Sequence, residues 1–294
     1  MSEVGEVGFV GLGAIGRPMA ERLLGGGIPL TVFDIREEAL APLVAAGAGR
    51  GRSVDELLDR CRTVVVSLPS PMVVRDVLLS VGKRPGLATA TVVNNSTVGA
   101  VVARDVAAHL AGLGIAFVDC PISGGPAVAR AGTLSVIVSG EAGSIARVRP
   151  VLELWGHDIT VVGDAPGAAQ VVKLANNVLA AVSIVATSEA MAMGARAGLD
   201  PAVTIAALNA GSARNYATSS LWPRCVLPGT FDFGSPLDML MKDVDLAVEQ
   251  GESLGVPMWV CQAARLVCKH AQFAGHGGED VSRLVEVIGA AGRP

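Results

Sequence analysis

Up to about residue 163, short apolar runs recur between longer segments of helical period. The runs "VGFV" (7–10), "LTVFD" (30–34), "TVVVSLP" (63–69), "TVVNNS" (91–96), "IAFVD" (115–119), "LSVIVSG" (134–140) and "DITVVGD" (158–164) are rich in β-branched residues and predict strands. Segments 14–25, 37–46, 98–112 and 142–154 predict helices between them. Strand and helix alternating at this spacing predict βαβ units and a largely parallel sheet. The strands are continuously apolar, which fits a sheet covered on both faces. After "GDAPG" (163–167) the strand pattern stops, and 166–196, 201–209, 236–254, 257–273 and 280–289 predict helices. Pro201, Pro228, Pro236 and Pro257 mark boundaries, with Pro201 and Pro257 expected in first helical turns. The expectation is an α/β chain in two parts. A doubly wound sheet fills residues 1–164, and an all-α domain for substrate binding and oligomerisation fills 165–294, joined by the long helix that begins near 166.

Composition narrows the function classes. Aromatic residues are 3% of the 294, so the core is aliphatic. A formal net charge of −4 with no basic cluster argues against nucleic acid as a partner. Cys61, Cys120, Cys225, Cys261 and Cys268 form no CxxC pair and read as reduced thiols of a cytoplasmic protein, with Cys261 and Cys268 as core fillers. His109, His157, His270 and His276 show no metal-binding spacing, so no metal site is expected. No signal peptide is visible, and the apolar stretch 174–195 is broken by Asn176, Asn177, Ser183, Thr187, Ser188 and Glu189. It reads as a buried helix, with no membrane partner.

Chemistry appears first in "VGFVGLGAIGRPMA" (7–20). Gly11, Gly13 and Gly16 form G-x-G-x-x-G directly after the first strand and at the opening of the first helix. In that setting Gly11, Leu12, Gly13, Ala14, Ile15 and Gly16 make a dinucleotide-binding turn, and the sheet becomes a Rossmann-type sheet. The helix N-terminus offers free amides and partial positive charge to the phosphates. Asp34, at the end of the second strand, can accept from ribose hydroxyls and would repel a 2′-phosphate, so NAD is preferred. Arg36 could pair such a phosphate, which keeps NADP as the other candidate. A second candidate site is "DCPISGGPAVARAGTLSVIVSG" (119–140), where the hydroxyl of Ser123 beside the Gly124 and Gly125 amides suits a carboxylate.

With these segments in view, the chain resembles the β-hydroxyacid dehydrogenase family, the group that includes 3-hydroxyisobutyrate dehydrogenase. The resemblance rests on "GFVGLGAIGRPMA", "SLPSP" (67–71), "NNST" (94–97), "DCPISGG" (119–125), "GAAQVVKLANN" (167–177) and "MLMKDVDLAVEQGESLGVP" (239–257). It implies that Leu68 and Pro69 border the cofactor and that Thr97 lies near nicotinamide and substrate. Ser123, Gly124 and Gly125 would hold the substrate carboxylate. Lys173 would be the catalytic lysine with Asn177 beside it, and Lys242 would approach the cofactor, with Asp243 next to it. Two departures stand out. Asn94 occupies a position where the family usually carries an acid, so hydrogen bonding behind Ser96 and Thr97 should differ. Cys120 and Ile122 replace the family's usual Ala and Val.

Residues three and four apart share a helix face, so Gln170, Lys173 and Asn177 form a polar stripe on an otherwise apolar helix. Burial disfavours a charged lysine, which is the tuning a general base needs. The stripe therefore reads as a proton relay, with Lys173 as general acid or base for hydride transfer between NAD(P) and a short 3-hydroxy acid. Imine reductases share the general plan but typically lack this lysine. A non-catalytic dinucleotide-binding protein would not need the stripe or the Ser-Gly-Gly turn. Arg214, Asn215, Tyr216, Phe231 and Phe233 lie in loop-like segments, 211–223 and 229–236, and are candidates for reading the rest of the substrate. Arg214 would grip a second anionic group. The apolar stretch 241–271 predicts a homodimer or homotetramer.

Overall fold

A computed structural model describes residues 5–290 of the chain, which divides into two compact units, residues 1–173 and 174–294. The first unit follows the order β1 (Val7–Val10), α1 (Gly16–Gly25), β2 (Leu30–Phe33), α2 (Glu37–Ala45), β3 (Gly49–Arg50), α3 (Val54–Arg60), β4 (Thr63–Val66), α4 (Pro71–Leu79), β5 (Thr91–Asn94), α5 (Gly99–Gly112), β6 (Ala116–Asp119), β7 (Ile122–Ser123), α6 (Pro126–Ala131), β8 (Ser135–Ser139), α7 (Ala142–Glu153) and β9 (Asp158–Gly163). The strands form one sheet in the order β3-β2-β1-β4-β5-β6-β8-β7, with β9 on β8. From β3 to β6 every pairing is parallel, and β8 runs antiparallel to β6 and β7. The strand order reverses between β1 and β4, so the ends of those two strands open the crevice where α/β sheets bind ligands.

The period of two along the strands sorts side chains onto two cores. Phe9, Val65 and Val93 pack on one face with Met19 and Leu23 of α1 and Val148 of α7. Val10, Val64, Val66 and Val92 point the other way, against Leu57 of α3, Val74 and Leu78 of α4, and Leu110 of α5. Every residue of β1, β4 and β5 is buried, as the continuous apolar runs predicted.

Helix α8 (Ala168–Arg196) begins in the first unit and continues into the second. The second unit adds α9 (Pro201–Ala210), a π-helical segment (Ala217–Val226), α10 (Leu237–Ser253), α11 (Trp259–Ala271) and α12 (Leu284–Ala290). Leu174, Val178, Ala181 and Val185, spaced along one face of α8, pack with Trp222, Leu237, Met241, Val244 and Cys268. Among the described residues α8 is the one helix long and apolar enough to cross a membrane, yet that face is committed to this core. The rest of α8 departs from the buried helix expected, because Val171, Val172, Leu179 and Met193 are exposed.

Three further expectations are corrected. Residues 217–226 are helical, because Asn215 closes the first turn by accepting from the Thr218 amide while Leu221, Trp222 and Cys225 are buried. Pro257 lies outside α11, whose N-cap Met258 is left-handed at φ 50° and so sets the helix start one residue beyond it. Cys261 is only partly buried, unlike Cys268.

Candidate active site

The turn after β1 is shaped by what its glycines must avoid. Gly11 has φ 93°, and a Cβ there would sit 2.2 Å from the Ser67 carbonyl at the end of β4. A Cβ on Gly16 would sit 2.1 Å from the Gly11 carbonyl. These two glycines are demanded by the protein's own packing. Gly13 is different, since a Cβ there would meet nothing within 4 Å. Its missing side chain leaves a cradle beside the start of α1, with Leu12 buried behind it, Ile15 partly buried and Ala14 exposed. No side chain caps α1, and its first turn holds no acidic residue, so the positive end of the helix is unopposed. A pyrophosphate fits there by charge and by space.

Asp34 follows β2. Its carboxylate accepts from the Leu12 amide at 2.7 Å and from the Arg36 amide at 2.9 Å, and the Arg36 guanidinium stands 3.2 Å away. Burial opposes ionisation of Asp34, but these hydrogen bonds and the Arg36 charge outweigh it and hold the carboxyl below its usual range. Arg36 is therefore engaged with Asp34 rather than being a plain surface arginine. Leu68 borders the same crevice, with its amide donating to Ser96 Oγ at 2.8 Å, and Pro69 beside it is exposed.

At the ends of β5 and β6 lies a buried polar network that the sequence did not announce as a unit. Asn94 donates to the Ser96 carbonyl and to Asp119, at 3.1 and 3.3 Å, and accepts from the Ser96 amide. Gln170, in the first turn of α8, donates to the Ser96 carbonyl at 3.1 Å and to Asp119 Oδ1 at 2.7 Å. Its oxygen accepts from the Val98 and Gly99 amides at 2.8 and 3.2 Å. Burial pushes the Asp119 carboxyl up to about 7, against the lowering effect of the hydrogen bonds from Gln170 and Asn94. This accounts for Asn94 where an acid was expected. A second carboxylate facing Asp119 in this pocket would repel it, whereas an amide donates to it.

The predicted polar stripe therefore divides. Gln170 is fully buried, and its carboxamide is engaged through both N–H groups and its oxygen. Lys173, one turn on, is 8% exposed. Thr97 is half-buried in a turn whose other residues, from Asn94 to Ala100, are all buried. Ser123 ends β7, paired in register with Ser135. Gly124 has φ 134°, and a Cβ there would press on Leu134 and Val128 at 2.8 Å. Gly125, like Gly13, faces open space.

In the second unit, Asn177 donates to Asp243 Oδ2, and Lys242 Nζ stands 3.2 Å from Asp243 Oδ1. Tyr216 and Phe233 meet edge to face at 5.9 Å. Arg224 lies over Phe233 and Arg283 over Phe231, two cations that sequence reasoning passed over because they belong to separate elements. Asn215 is spent on Thr187, Ala213 and Thr218, while Arg214 is exposed. Among the described residues no cluster of His, Cys, Asp and Glu could hold a metal ion.

Comparison with known proteins adds a consistent set of likenesses. Residues 6–163 match the model for the NAD-binding domain of 6-phosphogluconate dehydrogenase. Residues 167–288 match the model for the NAD-binding region of NADP-dependent 3-hydroxyisobutyrate dehydrogenase. A 3-hydroxyisobutyrate dehydrogenase of Pseudomonas aeruginosa is 35% identical over 294 residues, covering 95% of this chain and 97% of that protein. A 2-(hydroxymethyl)glutarate dehydrogenase of Eubacterium barkeri is 32% identical over 284 residues, covering 96% and 94%. A solved Mycobacterium tuberculosis 3-hydroxyisobutyrate dehydrogenase, studied with L-serine, superposes with a TM-score of 0.88 at 28% identity, covering 98% of this chain and 99% of that one.

Proposed function

The chain belongs to the 3-hydroxyisobutyrate dehydrogenase family of NAD(P)-dependent oxidoreductases that act on CH–OH groups, and from that premise we propose that it oxidises a 2-substituted 3-hydroxypropanoate at its primary alcohol. The three compounds named with its relatives, 3-hydroxyisobutyrate, 2-(hydroxymethyl)glutarate and L-serine, share that core and differ only in the substituent on C2. A 3-hydroxyisobutyrate-like acid is the expected substrate.

The observation that carries this reading is a buried lysine, Lys173, in the same unit as the dinucleotide cradle. A bound nicotinamide dinucleotide supplies the hydride acceptor in oxidation and the donor in reduction. The hydroxyl proton is left to the chain. In oxidation the neutral Lys173 amine takes it as the C–H bond breaks, giving an aldehyde and a protonated lysine; in reduction the ammonium returns it. Asn177 orients the amine and the substrate. Ser123 with the Gly124 and Gly125 amides holds the carboxylate, and Thr97 borders it. Gly11 to Gly16, Asp34, Leu68 and Pro69 would hold the dinucleotide. Asp34, already ionised and paired with Arg36, favours NAD over NADP.

Assembly follows from α11. Trp259 and Leu266 of this helix are 80% and 66% exposed, and with the exposed Ala263 and His270 they recur at alternating steps of four and three. That is the seam of a helix pair, and a second copy of the chain supplies the partner helix in a homodimer or homotetramer. The five free thiols fit a reducing cytoplasm.

Absorbance at 340 nm, with NAD or NADP and 3-hydroxyisobutyrate, L-serine, 3-hydroxypropionate, glycerate or 2-(hydroxymethyl)glutarate, tests the reading. Turnover of at least one acid, abolished in Lys173→Ala while the dinucleotide still binds, is expected. Dinucleotide binding without turnover of any acid would reject it.

A further inference from the structure

Gln170 has no task in the chemistry above, yet its buried carboxamide is committed through both N–H groups and its oxygen. Its two N–H groups go to the Ser96 carbonyl and Asp119, and its oxygen takes the Val98 and Gly99 amides. These partners lie 51 to 74 residues away in sequence. The contacts bracket one residue: Ser96 precedes Thr97 and Val98 follows it. Thr97 is half-buried, while the rest of that turn is buried. Helix α5 has no side-chain cap of its own, so Gln170 also supplies its missing N-terminal acceptor from another element. Three residues later on the same helix face stands Lys173. A second tie, from the Ala169 amide to Ser139 Oγ at 3.1 Å, stops the first turn of α8 from rotating about the Gln170 side chain.

We infer that Gln170 is a positioning residue that fixes the Thr97 turn and Lys173 at one spacing, acting through both without touching the reacting atoms. The inference rests on the dehydrogenase reading. It makes the polar stripe two devices, a buried bolt at Gln170 followed by an acid–base group at Lys173. Misplacing a reacting group by about 1 Å can cost on the order of a hundredfold in rate, so a bolt of this kind should register in turnover more than in binding.

Two variants test it. Gln170→Met keeps the length and removes all four hydrogen bonds. With turnover by the native enzyme established, its kcat should fall by about ten- to a hundredfold, its dinucleotide Kd should stay within about twofold, and its solvent deuterium isotope effect on kcat should rise. Gln170→Glu can act as the bolt only when protonated, when its O–H replaces one of the two donated bonds and its carbonyl oxygen still accepts the Val98 and Gly99 amides. The ionisable groups near position 170 are Asp119 at the end of β6, which it contacts, and Lys173 one turn on along its own helix face, while the β5–α5 turn presents Asn94 and Ser96, which do not titrate, and Ser139 of β8 holds the neighbouring Ala169 amide. A carboxyl beside Asp119 takes up a proton readily, so kcat of Gln170→Glu relative to the native enzyme should recover as pH falls from about 8 to about 6. A Gln170→Met enzyme that melts lower but keeps its kcat and isotope effect would reduce Gln170 to a helix cap and overturn the inference. If that variant does not fold, a pH-independent ratio for Gln170→Glu overturns it alone. Absence of turnover in the native enzyme would remove the dehydrogenase reading and this inference together.

Discussion

The Asp34 carboxylate accepts the Leu12 amide at 2.7 Å, so the acid that ends β2 is tied to the glycine turn that ends β1. The same carboxylate holds Arg36. A 2′-phosphate would meet a fixed negative charge, while the cation that could receive it is already paired. Asp34→Ser should therefore free Arg36 and admit NADP. The ratio of kcat/KM for NAD to that for NADP is expected to drop by about tenfold or more, 1.4 kcal/mol. An unchanged ratio would remove Asp34 from cofactor choice.

Lys173→Ala should lower kcat by about two to four orders of magnitude, with dinucleotide binding preserved. Asn177→Ala should cost less, because the substrate proton passes to the amine and not to the amide. Stopped-flow traces of the reduced cofactor at saturating acid measure both. Equal losses in the two variants would argue that the pair acts as one unit.

The glycine turn separates folding from binding. Gly11→Ala forces a side chain into left-handed backbone, at about 1–2 kcal/mol, and against the Ser67 carbonyl. Its melting temperature should fall clearly. Gly13→Ala meets no protein atom and should melt like the native protein, yet its Kd for the dinucleotide should weaken by about tenfold. Thermal melts with and without cofactor distinguish the two, and a Gly13→Ala protein with native affinity would show that the cradle is not where the pyrophosphate lies.

Asp119 gives stability a pH dependence. Its carboxyl is raised from 3.8 to about 7 in the folded chain, so the native state binds more protons than the unfolded state between those values. Stability is full below about pH 4 for this group and is lost as pH rises toward about 7, by up to a few kcal/mol. Asp119→Asn keeps an acceptor for Gln170 and Asn94 and removes the charge. Urea unfolding of the two proteins from pH 5 to 8 should show the native chain losing stability relative to the variant. Parallel curves would mean that Asp119 ionises freely.

Assembly can be tested at the exposed seam of α11. Replacing Trp259 and Leu266 by Lys should dissociate the assembly in multi-angle light scattering without lowering helicity. A monomeric native chain at micromolar concentration would reject the seam as an interface.

Much of this architecture is legible in the sequence because its signals are local. Strand runs such as "VGFV" and the glycine turn after it declare themselves within a few residues. Helices α3 and α4 also carried local signals that pattern reading missed. Ser53 caps the Glu56 amide and Ser70 caps that of Val73 just before and after Pro71, but the helices are only seven and nine residues long. Two-residue strands such as β3 and β7 have no period to read. The network of Asn94, Ser96, Asp119 and Gln170 is out of reach for another reason. Its members are each ordinary in their own segments and acquire meaning only when β5, β6 and α8 are brought together.

The bolt at Gln170 also bears on how such chains can be recombined. The loop at 163–167 looks like the natural seam for joining one relative's sheet to another's helices. A cut there would send Gln170 and Lys173 away with the outgoing helices and leave Ser96, Asp119 and the Val98 amide facing a foreign residue. A cut after Lys173 keeps donors and acceptors from one parent together. Chimaeras joined inside α8 should therefore outperform those joined at the loop, although the loop is where the backbone is easiest to splice.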